Sequence, residues 1–197
     1  MPFSSFTAEV QQRLLELAEG SIRHGLERGR PLPPPAATAP LGAPGACFVT
    51  LHRHDQLRGC IGSLEPRRPL VEDVVLNAYH AAFSDPRFAP LSAVELTGLS
   101  LHISVLGPLE PVAACSEAAL LAFLQPGVHG LVLEGHGRRA TFLPAVWEQL
   151  PEPRVFLGQL KRKAGLPAEY WSQQLRFWSY RVLEFGGAVR APTANKP

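Results

Sequence analysis

Leu57-Arg58-Gly59-Cys60-Ile61-Gly62 is the stretch on which the reading of this chain turns. Two glycines flank a cysteine and its apolar neighbour, and an arginine stands two residues before the thiol. Upstream, Cys47-Phe48-Val49-Thr50-Leu51 has strand composition and His52-Arg53-His54-Asp55 supplies a turn, so the hexapeptide is expected to be the return strand of a β-hairpin. Glycine inside a strand marks a bulge or a close approach by other atoms, which makes Gly59 and Gly62 candidate ligand-binding positions. Arg58 adds a planar cation with five donors, suited to a carboxylate or phosphate. Arg58 and Cys60 lie two apart and share a face of a regular strand. From the residues alone, Cys60 stays open between a small core residue and a nucleophile whose thiolate a nearby cation would favour. A two-residue turn at Arg53-His54 would set Cys47 opposite Cys60, near enough for a strained, reversible disulfide. A register one residue off moves Cys47 to the opposite face.

Outward from the hairpin, residues 7–28 form an amphipathic helix. Val10, Leu14, Ala18, Ile22 and Leu26 recur every four residues, with Thr7 as N-cap and Gly29 as stop. Residues 30–45 are rich in proline and glycine and should be an exposed loop. Pro69 opens a second helix that ends at Ser84-Asp85-Pro86. Leu99 to Val105 alternates strictly, as a half-buried antiparallel strand does. Glu117 to Leu124 is a short helix, and Val128 to Glu134 with Arg138 to Leu143 makes a second hairpin about Gly135-His136-Gly137. Short helices open at Pro144 and Pro153. Leu175 to Phe185 is expected to be one final strand, and 187–197 a flexible tail. Strands and helices do not alternate regularly, so the expected class is α+β, with a mainly antiparallel sheet and flanking helices.

The 197 residues are 46% hydrophobic and carry a net charge of +2, enough for a core and too little to imply a polyanion partner. Three irregularly spaced cysteines argue against a secreted disulfide framework and for a cytoplasmic chain. No apolar run reaches the roughly 20 residues of a membrane span, and residues 1–30 have no signal-peptide pattern. His52-x-His54 has too few companions for a metal site, so none is expected. Nucleotide-binding glycine motifs are absent. Arg67-Arg68, Arg138-Arg139 and Lys161 to Lys163 are short basic groups that cap helices or meet water, so nucleic-acid binding is not expected.

LRGCIGSLEP, preceded by FVTL, resembles the signature of the AMMECR domain family, whose prokaryotic members belong to the AmmeMemoRadiSam system. The likeness continues through SDPRFAPL (84–91), HISVLGPLEP (102–111), GVHGLVLEGHGRRATFLPAVWEQLP (127–151) and KRKAGLP (161–167). It implies one α+β domain over 1–186 with main body 46–186, built as two unequal lobes. No cofactor is expected. As site residues beside Cys60 the likeness brings in Asp85, Arg87 and His129. Asp85, Arg87 and Phe88 are expected on the far wall of a cleft around LRGCIG. The family name also implies Memo-type and radical-SAM partners. The expected role is therefore a small-molecule or protein-binding component of their pathway, the alternative being an enzyme with Cys60 as nucleophile.

Overall fold

Apolar residues every four positions from Val10 onward fold as α1 (Ala8–Arg28) in a computed structural model that describes residues 3–189. Thr7 accepts a hydrogen bond from the Val10 N–H, and Gly29 closes the helix in the left-handed region at φ 67°. The elements that follow are β1 (Pro44–Gly45), β2 (Cys47–Arg53), β3 (Gln56–Gly62), β4 (Arg68–Pro69), α2 (Leu70–Phe83), β5 (Leu99–Leu106) and β6 (Glu110–Pro111). After them come α3 (Glu117–Phe123), β7 (Gly130–Gly135), β8 (Arg138–Phe142), α4 (Pro153–Lys163), β9 (Arg176–Tyr180) and β10 (Val182–Ala188). This is the α+β class, and the paired strands run antiparallel.

The chain divides into two compact units, one running to Leu106 and resuming at Leu183, the other spanning Gly107–Val182. In the first, the sheet order is β10-β5-β2-β3. The buried face of β2 and β5 (Cys47, Val49, Leu51, Leu99, Leu101, Ile103, Val105) packs with Leu14, Ala18 and Ile22 of α1 and Leu70, Val74, Ala78 and Ala81 of α2. Fully buried aliphatic residues at these positions each stabilise by about 1.5–3 kcal/mol. The second unit has the order β6-β9-β7-β8 over a core of Leu120, Leu131, Leu133, Trp147, Phe156, Leu157 and Leu160. Lys161 is fully buried there, its Nζ donating to Glu117 Oε2 at 2.5 Å and to the Ala168 carbonyl at 3.0 Å, which ties α4 to α3.

Two expectations change. Leu175 to Phe185 is not one strand: β9 joins the second sheet and β10 the first. The break falls at Arg181, whose carbonyl accepts the Gly107 N–H at 2.9 Å, at the other crossing between the units. No glycine or proline marks it. The expected tail also starts too early, because β10 runs to Ala188 and the Val189 N–H donates to the Leu99 carbonyl at 2.8 Å. Residues 190–197 of that tail lie outside the described residues.

Candidate functional site around Cys60

The turn of the first hairpin is His54-Asp55, both left-handed at φ 49° and 63°, the type I′ geometry that suits twisted strands. Arg53 pairs with Gln56 and His52 with Leu57, but Leu51 then pairs with Gly59 and Thr50 with Cys60. Arg58 is the extra residue of a β-bulge. A bulge re-aims its side chain, so Arg58 leaves the regular alternation in which it would share a face with Cys60. Its guanidinium is spoken for: Nε donates to Glu95 Oε1 at 2.7 Å, and one terminal nitrogen to Glu95 Oε2 at 3.2 Å and to the Ala89 carbonyl at 2.9 Å. Glu95 closes a capping box with Ser92 at the start of a short 3-10 helix over 93–96. The Arg58 fork holds the Glu95 carboxyl at about 2, with the Ser92 hydrogen bonds helping and partial burial opposing.

β3 is an edge strand, and at Cys60 its outward backbone groups are met by side chains. Asp85 Oδ2 accepts the Cys60 N–H at 2.9 Å, and Arg87 donates to the Cys60 carbonyl at 3.4 Å. Asp85 itself is buried and takes a two-pronged pair from Arg87 at 2.7 and 3.0 Å plus the Arg87 N–H at 3.1 Å. Hydrogen bonding from the Arg87 side chain, aided by the Cys60 and Arg87 N–H groups, holds the Asp85 carboxyl well below the usual carboxylate range against the opposing effect of burial. Phe88 lies under both guanidiniums, 5.7 Å from Arg58 and 5.5 Å from Arg87. Asp85, Arg87 and Phe88 are thus brought together with the LRGCIG strand as expected. They clamp it directly and do not form a far wall across a gap.

Both glycines are explained by close approach. A Cβ on Gly59 would fall 2.1 Å from the Ala81 carbonyl oxygen at the end of α2, and one on Gly62 2.2 Å from Phe48 Cγ. Neither is in the left-handed region. Both glycines make room for protein atoms.

The half-buried Cys60 thiol accepts a hydrogen bond from Thr50 Oγ1 at 3.4 Å. Thr50 stands opposite Cys60 on one side and His102 of β5 on the other, so the three share one row on one face. His52 reaches the same face, its ring 5.6 Å from that of His102. Two strand spacings, about 9.5 Å, separate Cys60 from His102. The alternation Ser100, His102, Ser104 is visible in the sequence. Their alignment with Cys60 depends on strand order and is not.

Cys47 lies on the other face. It is fully buried, its N–H donates to Asp73 Oδ2 at 3.0 Å, and its thiol lies 3.4 Å from that oxygen. Burial and the Asp73 charge push the Cys47 thiol up. The bulge sets Thr50 opposite Cys60, which overturns the Cys47–Cys60 pairing. Ser63 (2.8 Å), Asn77 (3.0 Å) and Arg68 (3.4 Å) complete the shell of the buried Asp73 carboxylate, a network that the sequence reading does not include.

His129 belongs to the second unit. Its Nδ1 accepts the Gln125 N–H at 3.3 Å, its carbonyl accepts Trp147 Nε1 at 2.7 Å, and its ring stacks on Phe123. Burial, and then the Arg181 charge, lower its pKa. The two turn histidines diverge, His52 toward His102 and His54 toward Gly98. Among the described residues no three His, Cys, Asp or Glu side chains form a group that could hold a metal ion, and no helix is long and apolar enough to cross a membrane.

The AMMECR1 family model matches residues 15–185, from within α1 to within β10. The chain belongs to the AMMECR1 family. This AMMECR1 protein is 39% identical over 183 residues to a protein of Aeropyrum pernix, covering 90% of this chain and 77% of that one. It is 37% identical over 201 residues to a Thermococcus gammatolerans protein, covering 93% and 94%. The crystal structure of the uncharacterized protein PH0010 from Pyrococcus horikoshii superposes with a TM-score of 0.78 at 32% identity, over 94% of this chain and 95% of that one.

Proposed function

We propose that this AMMECR1 protein is a cytoplasmic protein-binding component whose docking surface is the Cys60 edge of β3 with the adjoining 88–95 segment. Its proposed partners are the Memo-type protein and the radical-SAM enzyme implied by the family resemblance. One observation carries the reading. Among the described residues of the first unit, the large hydrophobic side chains left exposed are Leu57, Leu64 and Val94. Leu57 and Leu64 bracket residues 58–63, and Val94 precedes the Glu95 that grips Arg58. Exposed apolar side chains flanking polar groups already satisfied within the chain suit a protein interface. A small anion would need an open guanidinium fork, and Glu95 and Asp85 fill those of Arg58 and Arg87. Gly59, Gly62, Asp85 and Arg87 accordingly shape the surface. One family match running through both units supports reading 1–186 as a single domain.

The second reading, an enzyme with Cys60 as nucleophile, is favoured by the Cys60–Thr50–His102 row, which sets an imidazole on the same sheet face as the thiol. Hydrogen–deuterium exchange with saturating purified Memo-type protein tests the first reading. Slowed exchange is expected over 57–64 and 88–95. Unchanged exchange there would contradict it.

A further inference from the structure

We propose that the second unit carries a separate site for a small phosphorylated ligand, in the groove beside the β7–β8 turn. The groove has a volume of about 720 Å³ and is lined by Glu134, His136, Arg138, Arg139, Gln173 and Arg176, among others. That is within the roughly 300–1,000 Å³ usual for small-molecule sites. Three arginines and one carboxylate are among the lining residues. Glu134 stands opposite Arg139 on β8 and Arg176 on β9, which flank it on both sides, and Arg138 and Arg176 by themselves outnumber that one carboxylate in the lining.

The turn bearing this charge is held from two directions. His136 and Gly137 are left-handed at φ 52° and 70°, and His136 Nε2 lies 2.7 Å from the Tyr170 hydroxyl. Arg138 donates to the carbonyl of Gly165, where a Cβ would fall 2.3 Å from the guanidinium. Gln173 is fixed by its donation to the Cys115 carbonyl at 2.9 Å. Donors held in place before binding cost less to order when the ligand arrives.

The chemistry of the lining selects the ligand class. Guanidinium forks match phosphoryl oxygens in geometry and charge. None of the lining residues is an aliphatic or a Phe, Tyr or Trp, so the groove offers polar and charged contacts and no apolar floor. The fit is to a compact, hydrophilic phosphorylated molecule, not to a nucleic acid. Arg154 lies in a separate groove of about 270 Å³ lined by α4 residues, away from the β7–β8 turn, and serves as the control.

Isothermal titration of the full chain with inorganic pyrophosphate at low salt is the test, with citrate as a non-phosphoryl anion. Saturable binding is expected. Arg176→Gln, which removes a charge-assisted contact, is expected to weaken it about tenfold. Arg154→Gln should leave it within about twofold, and citrate should bind less tightly than pyrophosphate. Arg176 is exposed and has no ion pair among the described residues, so its variant should melt with wild type even if Arg138→Gln, which loses the Gly165 anchor, does not. No saturable binding by wild type up to about 10 mM would overturn the proposal. So would equal losses in Arg176→Gln and Arg154→Gln, or citrate binding as tightly as pyrophosphate.

Discussion

Gly59→Ala is the substitution whose effect follows most directly from the structure. The added Cβ would sit 2.1 Å from the Ala81 carbonyl oxygen and 3.0 Å from its carbon. Ordinary contact begins near 3.4 Å, so strand and helix must part by roughly 1.3 Å. Neither side yields cheaply: Gly59 lies in the β2–β3 ladder and Ala81 in the last turn of α2. Overpacking of this kind costs about 1–3 kcal/mol. The same displacement stretches the Cys60 N–H to Asp85 bond, now 2.9 Å, and losing a hydrogen bond to a charged group costs about 1.5–3 kcal/mol more. Taken together, about 2.5–6 kcal/mol lowers the melting temperature by roughly 5–20 °C for a chain of this size. Circular-dichroism melts of wild type, Gly59→Ala and Cys60→Ser provide the assay. Cys60→Ser changes a half-buried thiol with one weak hydrogen bond and should cost about 1 kcal/mol. Gly59→Ala melting within about 2 °C of wild type would refute the close-approach argument. Cys60→Ser melting lowest would make the thiol a core residue.

Arg58→Lys should destabilise nearly as much as Arg58→Ala, by about 1–3 kcal/mol in urea unfolding, because an ammonium cannot bridge Glu95 and Ala89 as the fork does. The Glu95 carboxyl goes from 4.5 to about 2 on folding, so its stabilisation is complete above pH 4.5 and is lost as pH falls toward 2. Melts across that window should show a shallower acid loss for Glu95→Gln than for wild type. Native alkylation followed by mass spectrometry should label Cys115 and Cys60 and spare Cys47, and mild oxidant should give no Cys47–Cys60 crosslink.

Helix ends and strand alternation were legible because they are local. Thr7 and Gly29 cap α1 as their chemistry requires, and Leu99 to Val105 buries every second residue. The site was legible only as a set of residues. Cys60, Asp85 and Arg87 meet, but what each touches depends on a bulge at Arg58 that slips the register by one, and no turn rule reveals it. Glu95 was missed although Ser92-Ala93-Val94-Glu95 carries the spacing of a capping box; the sequence shows the box but not that the same carboxylate reaches a strand 37 residues earlier. The switch between sheets at Arg181 left no mark because nothing there bends the chain chemically.

The central claim, that the Cys60 edge is a docking surface and not a nucleophilic centre, is tested most directly by the affinity of purified Memo-type protein for four forms of the chain. Leu57→Asp and Leu64→Asp should each weaken binding at least about tenfold, as expected when a charge enters an apolar interface. Cys60→Ser should stay within about twofold of wild type. Binding lost in Cys60→Ser and untouched in both leucine variants would contradict the claim.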